Sequence, residues 1–168
     1  MLKIRRYQKK DNKAVKELHH AGNMQMGEML TEAELKELIS LPTATFGSDL
    51  DDIEGVYLKS GGDFLVGVEG RKIVVIGAIR KYTDTCGELK RLRVRRDYQR
   101  KGLGETMMRK LVTRARELGY KELILDTIAE NRPARRLFEK LGFSELRRER
   151  KGPFNLVIYG KNLNEEGK

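Results

Sequence analysis

The stretch that most constrains the fold is an amphipathic helix held between two strands. Leu103, Met107, Met108, Leu111, Val112, Ala115 and Leu118 recur at helical spacing, and Gly119 follows as the residue that closes the helix. Gly87 to Val94 reads as the strand before it, and Leu123-Ile124-Leu125 as the apolar core of the strand after it. Strand, helix and strand in that order predict a right-handed crossover joining parallel strands with a buried centre. The leading strand carries a fault in its alternation. Leu89 is out of phase with Leu92 and Val94, which predicts a bulge or a change of facing between them.

The rest of the chain supplies more strands and short helices. Phe64 to Val68 and Ile73 to Ile79 flank Glu69-Gly70-Arg71-Lys72 and read as a β-hairpin. Leu2 to Tyr7 alternates as an edge strand does. Asp11 is the expected N-cap of a helix carrying Ala14, Val15 and Leu18, with Gly22 as its end. Thr31 and Glu34 form a capping box leading into Leu35, Leu38 and Ile39, and that helix stops before Pro42. Asp49 to Leu58 is expected to hold another helical turn. Asn131 caps a helix with Ala134, Leu137, Phe138 and Leu141 on one face and Gly142 at its end. Phe143 to Leu146 and Phe154 to Tyr159 are the last strands, joined by a basic connection containing Gly152-Pro153. No repeat or linker divides the 168 residues, so one domain over 1–163 with a frayed tail at 164–168 is expected.

Charge is unevenly spread. The net formal charge is +10, yet residues 1–60 hold 9 Lys/Arg and 10 Asp/Glu while 61–168 hold 26 and 15. The run from Lys90 to Lys101 contains seven bases and one acid, a pattern open to nucleic acid, a phosphorylated cofactor or a solvated surface. No apolar stretch approaches the roughly 18 residues of a membrane span, and MLKIRRYQKKDNK has no apolar signal region, so a cytoplasmic protein without membrane contact is expected. A lone cysteine, Cys86, rules out an internal disulfide, and His19 and His20 are too few for a structural zinc site. No metal is expected.

Gln99-Arg100-Lys101-Gly102-Leu103-Gly104 joins the strand to the long helix. Unpaired N–H groups and the positive dipole end lie there, and glycines let a phosphate approach the backbone. Met107 stands where a dinucleotide fingerprint needs its third glycine, and no Gly-Lys-Ser/Thr follows as in a P-loop. The segment instead resembles the signature of the GNAT superfamily of acetyl-CoA-dependent N-acetyltransferases, Gln/Arg-x-x-Gly-x-Gly/Ala, through Gln99, Gly102 and Gly104. A second block of that family, Asn-x-x-Ala-x-x-Leu-(Tyr/Phe)-x-x-x-Gly-Phe, is matched by Asn131, Ala134, Leu137, Phe138, Gly142 and Phe143. The resemblance is strongest from Phe64 to Leu163.

That resemblance implies an α/β fold: a central mixed, mostly antiparallel twisted sheet of six to seven strands with a splayed parallel pair, flanked by about four helices. It implies acetyl-CoA as co-substrate, with its diphosphate on the backbone of Arg100, Lys101, Gly102, Leu103, Gly104 and Glu105 and with Thr106 near. Gln99 belongs to the same signature. The pantetheine arm is expected beside main-chain groups of Leu92 and Val94, with Asn131, Ala134 and Phe138 on the other wall and Arg135 or Lys140 near the adenosine. The expected reaction is direct transfer to a primary amine, of a small molecule or a peptide, in a ternary complex. An alkylammonium must lose a proton before attack, and Glu88 is the candidate base; an exposed strand glutamate paired with a neighbouring Lys or Arg is the alternative. The backbone N–H of Val94 is the candidate oxyanion donor. The family's usual tyrosine acid is replaced by Phe138, leaving the acid open among Tyr159, Tyr98 and water.

Cys86 reads as a structural thiol, His19 and His20 as helix residues, and Met24, Met26 and Met29 as adaptable packing. Asp49, Asp51, Asp52 and Glu54 form a local acidic patch, either a helix start or an entrance that attracts a cationic amine. Two rivals stand beside the enzyme: a basic nucleic-acid-binding module, which lacks interleaved aromatics here, and a non-catalytic CoA-responsive regulator. A homodimer is implied by analogy alone.

Overall fold

A computed structural model describes residues 1–42 and 47–164. The helical stretch expected over Asp49 to Leu58 lies within the described residues, and the tail expected at 164–168 lies outside them from 165 on. One seven-stranded sheet runs through the chain in the order β1-β2-β3-β4-β5-β7-β6. Its strands are β1 (Leu2–Arg6), β2 (Asp63–Glu69), β3 (Lys72–Lys81), β4 (Cys86–Val94), β5 (Glu122–Ile128), β6 (Ser144–Lys151) and β7 (Phe154–Asn162). The pairings are antiparallel except β4–β5, as the crossover predicted. The helices are α1 (Asn12–Gly27), α2 (Glu32–Ile39), α3 (Leu103–Glu117) and α4 (Arg132–Lys140).

Each face of the sheet buries its own core. On one, Met107, Met108, Leu111 and Ala115 of α3 and Phe138 of α4 pack on Leu89, Leu123, Leu125 and Tyr159. On the other, Val15 and Leu18 of α1, with Leu50, Ile53 and Tyr57, cover Phe64, Val66, Ile76 and Ala78. The first core is the amphipathic face of α3 seen in the sequence. The fully buried carboxylate of Asp63 accepts from Arg6 Nε at 3.0 Å and Arg114 Nε at 2.7 Å, tying β1 and α3 to the start of β2.

Several elements differ from expectation for local reasons. Gly22 does not end α1, which continues to Gly27. Asp11 does not cap through its side chain; it accepts from Arg5 at 2.7 and 2.9 Å and from the Gln8 N–H at 2.8 Å, while a 3-10 turn leads into α1. The capping box of α2 is present, Thr31 Oγ1 taking the Glu34 N–H and Glu34 the Thr31 N–H. Residues Ser48–Asp52 form a 3-10 helix and Glu54–Leu58 a π turn. The basic connection before Gly152-Pro153 is mostly strand: β6 extends to Lys151, exposed throughout, with Arg147 on Glu149 and Arg148 on Glu145, each at 2.7 Å. Charges along an edge strand are a common guard against pairing with a second sheet.

The expected bulge sits in β4. Ala78 faces Lys90 while Ile76 faces Arg93, so two residues of β4, Arg91 and Leu92, oppose Gly77, and Arg91 has φ 60°. The extra residue restores Leu92 and Val94 to the face of Leu89 and turns Lys90, Arg91 and Arg93 to the face of α1. Among the described residues no helix is long and apolar enough to cross a membrane, and no three His, Cys, Asp or Glu are grouped to hold a metal.

Candidate functional site

β4 and β5 pair over three positions only: Cys86 with Glu122, Gly87 with Leu123 and Glu88 with Ile124. Beyond that seam the strands part, and the later half of β4 has a free edge. The Arg95 N–H donates to Val74 O at 2.8 Å, and ladder alternation then turns the N–H and C=O of Val94 and Leu92 away from β3 into the gap. The Val94 carbonyl accepts from Gln99 Nε2 at 3.0 Å. Gln99 also exchanges bonds of 3.0 and 3.1 Å with Gln25, which fastens the loop to α1.

The glycine loop brings the start of α3 to this gap. Arg100 (φ 62°) and Gly102 (φ 80°) take left-handed backbone, and Gly102 is the N-cap. A Cβ on Gly102 would meet nothing within 4 Å; on Gly104 it would meet only Val94 Cγ2 at 3.6 Å and Leu137 Cδ2 at 3.7 Å. The fold itself therefore has room for a side chain at both places, and the open space lies where the first N–H groups of α3 have no helical partner. Thr106 bonds back to Gly102 O at 3.0 Å. Glu105 in the first turn takes Lys140 at 2.8 Å and Arg109 at 3.3 Å, and the bond from Lys140 is the chief reason its pKa is lowered. Lys101 lies 5.2 Å over the Tyr98 ring. Arg100 and Lys101 remain exposed beside the open backbone. These groups suit a diphosphate joined to an extended amide-bearing arm.

The other wall is built from α4. Asn131 caps it, accepting the Ala134 N–H at 3.3 Å, and Pro133 sits in the first turn. Phe138 is buried against Phe143 and Tyr159. Arg135, half-buried, donates to Tyr159 Oη at 3.0 Å and Ala129 O at 3.2 Å. Tyr159 is fully buried and donates to Glu139 at 3.2 Å, so its hydroxyl is engaged with α4.

Glu88 occupies the last paired position of the seam, on the α1 face and opposite Arg80. It is half-buried and has no hydrogen bond or ion pair among the described residues. Cys86 is buried; burial, then Glu122 and Glu88, push its thiol pKa up, as befits a structural thiol. The basic run does not make one exposed stripe. Arg91 is bound to Asp49 at 2.6 and 3.0 Å, Arg95 to Asp97 at 3.0 Å and Arg96 to Glu28 at 3.0 and 3.1 Å. Asp49 also accepts from Tyr57, and Asp51 pairs with Lys16, so two acids of the acidic patch are neutralised. Gln25, Asn23 and Arg93 are site residues that sequence reasoning missed. The bulge phase set Arg93 on the face opposite Leu92 but could not show that α1 covers it, and nothing in the sequence pointed to Gln25 or Asn23.

A seven-stranded mixed sheet that splays after one short parallel seam, with a glycine loop delivering a helix start to the gap, has the architecture of an acetyltransferase scaffold. The chain belongs to the acetyltransferase (GNAT) family, whose model matches residues 28–143. In sequence it is similar to the N-acetylaspartate synthetase of Xenopus tropicalis, 34% identical over 101 residues, which are 59% of this chain and 37% of that protein. The chain thus spans well under half of that relative. In fold it is similar to a GNAT-family acetyltransferase of Staphylococcus aureus Mu50, with TM-score 0.78 and 21% identity over 97% of this chain and 99% of that one. It is likewise similar to the PaiA N-acetyltransferase of Thermoplasma acidophilum in complex with coenzyme A, with TM-score 0.74 and 18% identity over 96% and 99% of the two chains. The expected mixed sheet with a parallel pair is the observed one.

Proposed function

We propose that this chain, as a single domain over residues 1–163, transfers the acetyl group of acetyl-CoA to a primary amine in a ternary complex. The observation that carries the reading is the gap between β4 and β5, into which Leu92 and Val94 turn N–H groups that β3 leaves unused, beside carbonyls that accept from Arg93 and Gln99. An extended arm carrying amides matches that free edge as a strand would. The diphosphate would rest on the N–H groups of Gly102, Leu103, Gly104 and Glu105, with Arg100 and Lys101 beside it. Acetyl-CoA supplies the activated acyl group.

The chain's own work is to hold the thioester and deprotonate the amine. Glu88 takes the proton, a role supported by its position where the strands part and by its having no ion pair among the described residues. The Val94 N–H, fixed in the gap by the ladder, donates to the oxygen on which negative charge develops. Tyr159 is committed to Arg135 and Glu139, so water and Tyr98 stay as proton sources for the departing thiolate, itself a fair leaving group. The likeness to N-acetylaspartate synthetase covers too little of that protein to carry its acceptor across. Since Arg91, Arg95 and Arg96 are tied to acids, the basic run presents no continuous stripe of free cations to nucleic acid.

The test is calorimetric titration with acetyl-CoA, with ATP as an anion control at equal salt, followed by thiol release with an amine panel. One-to-one binding of acetyl-CoA with a far weaker ATP response is expected. Equal, weak binding of both would overturn the reading.

A further inference from the structure

Arg93 stands apart from the other cations of β4. Its stem crosses α1 where a glycine makes room: a Cβ on Gly22 would lie 2.5 Å from Arg93 Cδ and 2.7 Å from Nε. Its Nη1 donates to Leu92 O at 3.0 Å, a carbonyl turned into the gap, so the guanidinium lies at the mouth of the gap on the α1 side. Nη2 makes only a 3.4 Å bond to Asn23 Oδ1, and Nε is shut off from solvent with no acceptor. Among the described residues no carboxylate pairs with Arg93; Asp49, on the same face, is taken by Arg91 and Tyr57. Burial, and then the like charge of Arg91, lower its pKa to about 10, which still leaves it a cation at neutral pH.

Shutting part of a guanidinium off from water without supplying an anion is costly, and a fold that does so at the rim of a reaction gap is prepared for an anion from outside. Arg80, on the same face, is exposed, and Lys90 has no nitrogen that is shut off from solvent without a partner. The opposite charge lies along the seam and across the gap. Glu88 ends the seam, and Asp126, exposed on β5 two residues beyond Ile124, falls on the same face. A guanidinium towards the end of β4, with one carboxylate at the seam and another across on β5, matches a molecule that holds both an ammonium and a carboxylate.

Resting on the transfer reading above, we propose that the acceptor is an amino carboxylate, such as a free amino acid. Arg93 holds its carboxylate with the guanidinium fork, and Glu88 faces its amine. Asn23 and Gly22 position Arg93, the first by its hydrogen bond and the second by its missing side chain.

The test compares free amino acids with their own carboxamides as acceptors for the full chain at saturating acetyl-CoA. The amide has the less basic amine, so more of it is deprotonated at neutral pH, and that bias runs against the expected result. The acids should show kcat/KM at least tenfold higher, with the difference in KM. Arg93→Gln should erase the preference while leaving acetyl-CoA affinity within about twofold, and Arg93→Lys should retain part of it. Retained acetyl-CoA binding reports that each variant is folded, and the wild-type ratio needs no variant. Equal use of acid and amide overturns the proposal. So does an Arg93→Gln loss confined to kcat and equal for both, the signature of a guanidinium acting on the thioester. Failure of the acids to bind the CoA-loaded protein also overturns it. If acetyl-CoA itself does not bind, the transfer reading falls first; if it binds and is turned over without regard to the carboxylate, only the acceptor assignment falls.

Discussion

Asp49 carries more of the site than its place in an acidic stretch suggests. Burial pushes its carboxyl up, but the bonds from Arg91 and Tyr57 outweigh that and hold it at about 2 against an ordinary 3.8. Because the folded value is the lower one, this stabilisation is full above pH 3.8 and is lost as the pH falls through about 2. The shift corresponds to about 2 kcal/mol at neutral pH. Asp49→Asn leaves Arg91 as uncompensated as Arg93, and it should lower stability in urea at pH 7 by about 3 kcal/mol. That gap should narrow in acid, and a constant difference from pH 7 to pH 2 would exclude the ion pair as its source. Glu88→Gln should leave acetyl-CoA affinity unchanged and slow transfer about 100-fold, read from initial rates across pH; unchanged rates would remove Glu88 from the reaction. The loop glycines could be singled out from sequence by their motif, and Glu88 and Val94 only by what the family resemblance implies. Arg93 could not, since alternation says that it opposes Leu92 but not that α1 covers it.

At the scale of elements, the two loop glycines have different tasks. Gly102 adopts φ 80°, so Gly102→Ala should cost about 1 kcal/mol through backbone strain alone. Gly104 has ordinary backbone and room for a methyl group, so Gly104→Glu should keep its melting temperature while losing acetyl-CoA binding, measured side by side by calorimetry and circular dichroism. Loss of both properties together would mean that Gly104 serves packing. The long helix, the hairpin, the bulge and the parallel seam were legible because periodicity reports a face buried against a neighbour. The extent of β6 was not, because its eight exposed residues bury neither face and its pairing with β7 leaves no pattern in side chains. Gly22 misled for a related reason: a glycine inside a helix looks like an end unless the chain that crosses it is known.

At the scale of the molecule, positive charge collects on the later part of the chain, while the acids of the first part are largely spent on internal pairs. Attraction of a polyanionic co-substrate then depends on ionic strength: KM for acetyl-CoA should rise several-fold between low and high salt, with kcat unchanged. A KM indifferent to salt would assign binding to the backbone alone. The three-pair seam has a mechanical consequence as well. β1–β4 and β5–β7 are two blocks of sheet joined edge to edge along a very short line, so the empty protein should unzip there before it melts elsewhere. A ligand lying in the gap acts as the missing strand between the blocks, and amide hydrogen exchange at Leu92 and Val94 should slow when it arrives, turning a hinge into a continuous sheet.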